Sequence, residues 1–367
     1  MLCCCGLDLM SIAPDAFAIA HELLPHAASA LFLTGQGGEL HAAVHEDCPD
    51  SVRALCFSES GLFDGPDELN VKQLSAPARP KLGQLLAPPA AYYASNTYQL
   101  LIRGCGHHHA LDARLEANGQ PFGVLALLRE PGLGYAADDL ACLARIAQHL
   151  EHAQRGAGAA VEMSSLPQQA MLVARASGEL LFVSPAAQAL LDEIPYAATL
   201  WPDRRRLPPA GLRLLQALQG AAASPWDMPA CSLALPGGAL EMRAQWLGAV
   251  EGSSGGGLEA ACAAADAGLV GITLTRSTPA PLLVWRRLAA VQLSPRQREV
   301  AFWMALGGGR EAARQRLDIS EAVLRDCVKA VYGRLGCSSQ EELAALLRAT
   351  PAGDAPDLGL APALVAR

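Results

Sequence analysis

The feature that most constrains this chain is a series of helix boundaries near its C-terminal end. Ser294 is followed by a proline, and Gln297 lies three residues after the serine. This is the pattern of a capping box with proline at the first helical position. Three glycines at 307–309 end the helix that starts there, and Gly336 ends a later helix. The pattern predicts several short helices with closely defined ends.

Two of these predicted helices are joined by a very short turn. The second helix is expected over Arg310–Leu317, the turn over Asp318–Ser320, and the third helix from there to Leu335. Leucines and valines at 324, 328, 331 and 335 recur at helical spacing and predict one buried face. Two short helices joined in this way have the geometry that presents one helix to the major groove of DNA.

The opposite face of the third helix is predicted to be polar and exposed. Arg325 and Lys329 are four residues apart, so their side chains project from the same face. Arginine can bind guanine or a phosphate, and lysine can neutralise a phosphate. Val323 and Cys327 are expected near the edge of this face. The residues predicted to contact DNA are Arg310, Ser320, Ala322, Val323, Arg325, Asp326, Lys329 and Arg334.

Three stretches of this segment carry a resemblance to a known family. LSPRQREV at 293–300, RLDIS at 316–320 and VLRDCVKAVYGRLGCSS at 323–339 resemble the LuxR-type, NarL/FixJ-like DNA-binding domain. The resemblance implies that the third helix is the recognition helix. It also implies that a fourth helix contributes to dimerisation, and Ser339 with Glu342 predicts a second capping box at the start of that helix.

Several positions depart from the family pattern. Val323 stands where the family commonly has a phosphate-contacting threonine, Cys327 where histidine is frequent, and Arg314 where alanine is usual. Asp318 replaces the usual glycine of the turn, and aspartate tolerates the left-handed backbone conformation. These departures keep a second interpretation open. In it, the chain is an interaction protein or anti-activator that retains the helix-turn-helix fold but pairs with another regulator instead of binding DNA.

The first 155 residues predict a mixed domain. Two strands, His109–Ala117 and Phe122–Arg129, flank Asn118-Gly119, a strong hairpin signal. A helix is expected to begin at Asp138-Asp139. The run GQPFGVLAL at 119–127 and this helix resemble a GAF domain, which implies binding of a small molecule or dimerisation.

A second mixed region is predicted to follow a linker of small residues at 156–160. Strands are expected at Ala170–Ala174, Leu180–Ser184 and Val270–Thr275, and a hairpin is expected around Gly237-Gly238. The run GELLFVSPAA at 178–187 resembles a PAS domain. A Gly/Ser-rich loop is expected at 251–257. The fold class is α+β, with domains that are GAF-like at 1–155, PAS-like at 163–277 and an all-α four-helix helix-turn-helix domain at 288–350, then a flexible tail at 351–367.

Charge and motifs limit the function classes. The net charge is −8, yet residues 293–348 hold nine arginines and lysines against seven acidic residues, so the remainder has a net charge of −10. A DNA-binding segment with only two surplus positive charges is expected to act as a homodimer. No P-loop, HExxH or CxxC motif occurs, so we expect neither an enzyme nor a cofactor.

Histidines and cysteines leave a third class of function open, a metal or redox sensor. The candidates are the histidines at 107–109, His149 with His152 near Cys142, and the cysteines at 3–5. Solvated side chains without a ligand are the simpler interpretation of each group, so no metal site is assigned. No signal peptide or membrane-spanning run is found, which predicts a cytoplasmic protein.

The sequence therefore predicts a DNA-binding transcriptional regulator whose sensor-like N-terminal domains control a C-terminal helix-turn-helix. Its expected partners are double-stranded DNA, a second copy of the chain and an unidentified small-molecule effector, with no membrane.

Overall fold

The computed structural model describes residues 1–35, 37–49, 51, 52, 55, 60–65, 67–157, 161–163, 168–194, 201, 203–220, 228–247 and 268–349. The predicted loop at 251–257 and the predicted tail at 351–367 lie outside the described residues, as does most of the predicted linker at 156–160.

The described strands form two antiparallel sheets, so the predicted α+β class is confirmed at this level. The first sheet has the strand order β2-β1-β4-β3 and the second has the order β6-β5-β9-β8-β7. Their bounds are β1 Ala28–Thr34, β2 Leu40–His45, β3 His109–Ala117, β4 Gln120–Arg129, β5 Gln168–Arg175, β6 Leu180–Val183, β7 Ala230–Leu235, β8 Gly238–Trp246 and β9 Leu269–Ser277.

Ten α-helices occur within the described residues, and the last five follow one another without a strand between them. Their bounds are α1 Leu9–Leu23, α2 Val71–Leu74, α3 Asp139–Gly156, α4 Pro185–Asp192, α5 Pro209–Gly220, α6 Ala280–Ala289, α7 Pro295–Trp303, α8 Gly309–Leu317, α9 Glu321–Leu335 and α10 Gln340–Arg348. In the described part of the chain, no helix combines the length and apolar character needed to cross a membrane.

The hairpin of β3 and β4 forms as the sequence predicts. Asn118 and Gly119 both have positive φ angles, 52° and 75°, which a two-residue hairpin turn of this kind requires. Further along β4, Gly123 lies so close to β1 that a Cβ atom there would be 2.4 Å from the carbonyl oxygen of Phe32. Glycine at this position lets the central strands of the sheet approach each other.

The second sheet packs its inner face against α4 and α5. Ser184 caps α4 by accepting a hydrogen bond from the backbone N–H of Ala187, and proline follows the cap. Leu172 and Ile272 are directly paired on neighbouring strands and are both buried in this core. The core therefore depends on residues far apart in the sequence.

The helices α6–α10 enclose a separate apolar core. Phe302 is its largest fully buried side chain, and Leu324, Val331 and Leu343 pack in the same cluster. The capping box at Ser294 forms with both of its hydrogen bonds. The second capping box is only half formed.

Ser339 accepts the N–H of Glu342, as predicted for that box. The Glu342 carboxylate, however, accepts from the N–H and hydroxyl of Ser338 instead of returning to Ser339. The neighbouring serine offers this carboxylate two donors, whereas the predicted return bond would use one.

The chain divides into two compact units. The helical unit consists of Met1–Leu7, Gly156–Pro167 and Ser277–Arg367, and the sheet unit consists of Asp8–Arg155 and Gln168–Arg276. Both sheets thus belong to one unit, in which the N–H of Gly237 donates to the carbonyl of Ser11 in α1. The domain boundaries inferred from the sequence stay predictions.

Candidate nucleic-acid interface

The turn between α8 and α9 takes the form that the sequence predicts. Asp318 has a left-handed backbone conformation, with φ 48° and ψ 57°. The N–H of Ile319 donates to the carbonyl of Arg314, which closes the end of α8. Ser320 then caps α9 by accepting the N–H of Val323 at 3.4 Å. A local sequence signal is sufficient here, because every one of these contacts lies within the turn and its adjoining helix ends.

The buried face of α9 is broader than the sequence indicates. Leu324, Val328 and Val331 are buried as expected, whereas Leu335 is only half-buried. Cys327 is also buried, with 8% of its surface exposed, so its predicted place at the edge of the exposed face is wrong. It packs in the same apolar cluster as the three buried residues because the helical core encloses α9 on both sides of its leucine–valine stripe.

The opposite face of α9 presents its charged side chains to solvent. Ala322, Arg325, Asp326 and Lys329 are all exposed. Arg325 and Lys329 make no hydrogen bond or ion pair with any residue in the described part of the chain. Their donors therefore remain available to an external acceptor, and Asp326 is a negative charge on the same face. Val323 at the start of the helix has 43% of its surface exposed.

Two of the predicted DNA-contacting arginines do not join this face. Arg334 follows Arg325 by nine residues, which is about two and a half helical turns, so it lies on the other side of α9. There it donates to the side chain of Gln292 at 2.7 Å. The Arg310 guanidinium is exposed and lies 5.9 Å from the centre of the Tyr332 ring.

The unusual arginine in α8 is paired within its own helix. Arg314 donates to both carboxylate oxygens of Glu311, at 2.9 and 2.6 Å. These hydrogen bonds, with one from Gln315, lower the pKa of Glu311 to about 2. Arg314 therefore replaces the family's alanine without entering the core, where it would need a buried partner.

Arg316, in the same helix as Glu311 and Arg314, is not among the residues predicted from the sequence. The Arg316 guanidinium stacks 3.8 Å from the centre of the Trp303 ring, which places a cation over an aromatic face at the surface of the helical unit. The two residues belong to different helices, so no spacing rule within one helix could have identified the contact.

The fourth helix of the predicted motif directs its leucines inward. Leu343 and Leu347 of α10 are fully buried in the core of their own chain, and Leu346 is half-buried. The exposed residues of α10 include Glu341 and Glu342. The leucines of this helix, which the resemblance associates with dimerisation, thus pack within their own chain, and the dimer stays a prediction.

The N-terminal cysteines belong to the helical unit and are poor candidates for redox sensing. Met1 and Cys5 pack against the helical core. Burial raises the pKa of the Cys3 thiol to about 11 and that of the Cys5 thiol to about 12, so both remain protonated at neutral pH. Cys4 is exposed.

The histidines at 107–109 contact separate partners. His107 is buried rather than solvated, and burial lowers its pKa. His108 is hydrogen-bonded to the hydroxyl of Tyr98, and His109 lies 3.1 Å from the carbonyl oxygen of Gly132. In the described ranges these histidines do not form a three-ligand group, and neither do His149 and His152.

A second candidate site is a cavity of about 530 Å³ against one face of the first sheet. Alternate residues of β1 and β4 form its floor, because alternate side chains of a strand share a face. Segments before β3 form its other walls. The volume lies in the range typical of small-molecule sites. Its lining is mainly apolar and includes Ala30, Phe32, Val124, Ala126, Leu128, Leu69, Val71, Leu74, Leu85, Leu101 and Ile102.

Polar groups and two thiols complete the cavity wall. Lys72 and Asp64 lie 3.7 Å apart, and Asn70 is held by a hydrogen bond to the carbonyl of Phe63. The sulfur atoms of Cys48 and Cys105 lie 3.6 Å apart. An effector is expected from the sequence, but its binding residues are not predictable, because the lining comes from strands and loops between residues 30 and 128 without a shared motif.

Of three kinds of known protein compared with this chain, only the solved structures include matches. No protein-family profile matches the chain. A search of curated proteins finds no match. Seventeen chains among the solved structures show a likeness to it, and the three described next have TM-scores too low to support an argument.

The first structure is the N-acylhomoserine lactone-dependent LuxR-family transcription factor CepR2 from Burkholderia cenocepacia. It is 18% identical, with a TM-score of 0.29, and the match covers 41% of this chain and 84% of that one. The second is the DhaR(N)–DhaL complex of E. coli, at 14% identity and a TM-score of 0.26, covering 73% of this chain and 85% of that one. The third is the sensor region of a sensor histidine kinase, at 11% identity and a TM-score of 0.18, covering 73% and 90%.

Proposed function

We propose that this protein is a DNA-binding transcriptional regulator in which sensor-like regions control a C-terminal helix-turn-helix. The observation that carries the proposal is the exposed face of α9. Arg325 and Lys329 project from a helix that follows a three-residue turn, and neither makes an ion pair with the described residues. A short helix, a tight turn and a second helix with exposed cations are what insertion into a major groove requires.

The resemblance of residues 293–348 to the LuxR-type domain supports the same assignment. In this proposal α9 is the recognition helix, Arg325 and Lys329 bind guanine edges or phosphates, and two copies of the chain bind an inverted repeat. The protein acts by binding and not by catalysis.

We propose that the effector binds in the cavity of the first sheet. We assign residues 1–155 a GAF-like and residues 163–277 a PAS-like role. The antiparallel sheets with helices on their faces support these assignments, as does the mainly apolar cavity of about 530 Å³. An effector that suits this lining is largely apolar, with a polar group near Lys72 and Asp64. Native mass spectrometry of the purified chain measures whether such a molecule is retained, and a chain that binds none would remove this part of the proposal.

Fluorescence anisotropy with DNA from upstream of the protein's own gene tests the DNA-binding assignment. The double variant Arg325→Ala/Lys329→Ala should bind at least about tenfold more weakly. The slope of its logarithmic dependence on salt should fall by about 0.9 for each phosphate that the variant no longer neutralises.

A matched control, Arg205→Ala/Arg213→Ala, removes the same charge from exposed positions of the sheet unit and should bind like the parent. Equal binding by the parent and the α9 variant would show that the assigned face is wrong.

A second function is favoured by one observation on the same helix. Val323 places a half-exposed apolar side chain where the family has a phosphate-contacting hydroxyl. An apolar group at this position suits contact with another protein, as in an anti-activator that pairs with a related regulator. Stoichiometric binding of such a regulator, without any shift of DNA in a gel, would establish this alternative instead.

A further inference from the structure

Two histidines and a glutamate meet where α1 ends and the first sheet begins. His21 belongs to the last turn of α1, His26 to the connection that follows it, and Glu46 comes directly after β2. One ligand atom from each of these side chains lies within 4.8 Å of the others, and the described ranges contain no other such group of three. The cluster belongs entirely to the sheet unit.

The glutamate is held in place by the end of the β1–β2 ladder. The N–H of Glu46 donates to the carbonyl of Ser29 at 3.1 Å, which continues the pairing of Ala30 with His45. In return, the N–H of Ser29 donates to the Glu46 carboxylate at 2.5 Å. That carboxylate also lies 2.9 Å from Nε2 of His21. Its position is therefore set by the backbone of two paired strands.

The hydrogen bonds of His26 determine which ring nitrogen carries the proton. Nδ1 lies 2.6 Å from the carbonyl oxygen of Leu24, and because a carbonyl only accepts, Nδ1 is the protonated nitrogen. Nε2 then presents its lone pair, which accepts from the hydroxyl of Ser29 at 2.6 Å. A neutral histidine whose other nitrogen donates to a backbone carbonyl has the orientation of a metal ligand.

We propose that His21, His26 and Glu46 bind one Zn²⁺ ion. Two imidazoles and a carboxylate form a three-residue donor set that Zn²⁺ accepts, with water in the fourth position. Zinc–nitrogen and zinc–oxygen bonds of about 2.0–2.2 Å place tetrahedral ligands about 3.3 Å apart. The 2.9 Å between His21 and Glu46 is close to that spacing. The rings of His21 and His26 are stacked with their centroids 3.9 Å apart, so one ring rotates about its side-chain bonds to direct both nitrogens at the ion.

The metal ion displaces the existing contacts of these side chains without leaving a buried charge unpaired. His21 and Glu46 exchange their mutual contact for bonds to the ion, and the buried Ser29 hydroxyl gives up its contact with Nε2 of His26. Arg129 is the neighbouring cation, and its guanidinium donates to the carbonyls of Pro25 and Gly134.

Zinc at this position would tie the end of α1 to the edge strand of the first sheet. Glu46 adjoins His45, and both His45 and Cys48 line the cavity. Metal binding therefore restrains one wall of the cavity to which the effector was assigned. The metal site itself depends only on the three ligands and stands whether or not the chain binds DNA.

The test uses the full chain, stripped of metal with a chelator and then titrated with Zn²⁺ in competition with a chromophoric indicator. The parent should bind one Zn²⁺ per chain. His21→Ala and Glu46→Gln should each weaken binding more than tenfold, because losing a direct ligand costs at least as much as losing a supporting contact. Glu46→Gln keeps an oxygen for the N–H of Ser29, so it should retain the parent's fold in circular dichroism.

His149→Ala serves as the matched control, since it removes an exposed histidine from α3 and should bind Zn²⁺ like the parent. Titration with Co²⁺ identifies the ligand type. The proposed site should show no thiolate-to-metal charge-transfer band. Such a band for the tight site, parent-like affinity in both ligand variants, or no stoichiometric binding by the parent would each overturn the proposal.

Discussion

The α9 helix and the sheet unit differ in the burial of their charged side chains. On α9, Arg325 and Lys329 are exposed and make no ion pair with described residues. In the sheet unit, Arg114 of β3 and Glu68 of the segment before α2 are buried, and each has several hydrogen-bond partners. Arg325 and Lys329 are left to solvent, whereas Arg114 and Glu68 are taken out of water and hydrogen-bonded, as the cost of burying a charge requires.

Arg114 shows how the sheet unit uses a buried cation. Its guanidinium donates to the carbonyls of Ala76 and Arg79, both at 2.8 Å, and to the carboxylate of Glu116. The N–H of Glu116 in turn donates to Glu151 of α3. One arginine thereby joins a loop and a strand, and its neighbour on that strand continues the connection to a helix.

The largest difference in the free energy of unfolding is expected between two arginine substitutions, one in the first sheet and one on α9. Arg114→Met removes the donor to two backbone carbonyls and one of the two cations beside Glu116, so the free energy of unfolding should fall by about 3–5 kcal/mol. Arg325→Met removes an exposed, unpaired charge and should change it by less than about 0.5 kcal/mol. Urea unfolding followed by circular dichroism measures both. Equal losses of unfolding free energy in the two variants would contradict the proposed difference between the sheet unit and α9.

A smaller effect on stability, dependent on pH, is expected from Asp112, a buried aspartate of β3. Burial raises the pKa of Asp112 to about 6 from its ordinary 3.8, although the N–H of Leu85 donates to it. The folded protein therefore holds a proton that the unfolded chain releases. The stability contributed by the protonated carboxyl is complete below pH 3.8 and is lost as the pH rises through about 6.

Asp112→Asn should abolish this pH dependence. The variant should match the parent near pH 3 and exceed its free energy of unfolding at pH 8 by about 3 kcal/mol, because each pKa unit corresponds to about 1.4 kcal/mol. Asp326→Asn on the exposed face of α9 is the control and should show no comparable change between these pH values. Unfolding curves at the two pH values make the measurement. An unchanged pH dependence in the Asp112 variant would mean that this carboxyl is ionised in the fold.

The smallest effect is expected from Val323, an exposed apolar residue near the start of α9. Val323→Thr should restore a hydroxyl at the surface of α9 and tighten binding to DNA about fivefold, since one hydrogen bond contributes about 1 kcal/mol. Val323→Ala should give no such gain. Fluorescence anisotropy with the same upstream DNA measures both variants. A threonine variant that binds DNA no better, yet loses affinity for a partner regulator, would favour the alternative function.

The sequence by itself determined the local geometry of the helical unit and of the hairpins. The cap at Ser294, the left-handed Asp318 and the turn at Asn118-Gly119 depend on residues a few positions apart, and the structure has each of them. The exposed positions of Arg325 and Lys329 follow from the same short-range periodicity. These features are readable because their energies come from neighbours in the chain.

Only the tertiary structure decided the features that join distant segments. The burial of Cys327, the inward leucines of α10 and the network around Arg114 depend on which elements pack together. The cavity on the first sheet and the cluster of His21, His26 and Glu46 arise in the same way. Tertiary packing brings together side chains that are far apart in the sequence at no regular spacing. No periodicity or motif in the chain could therefore predict these contacts.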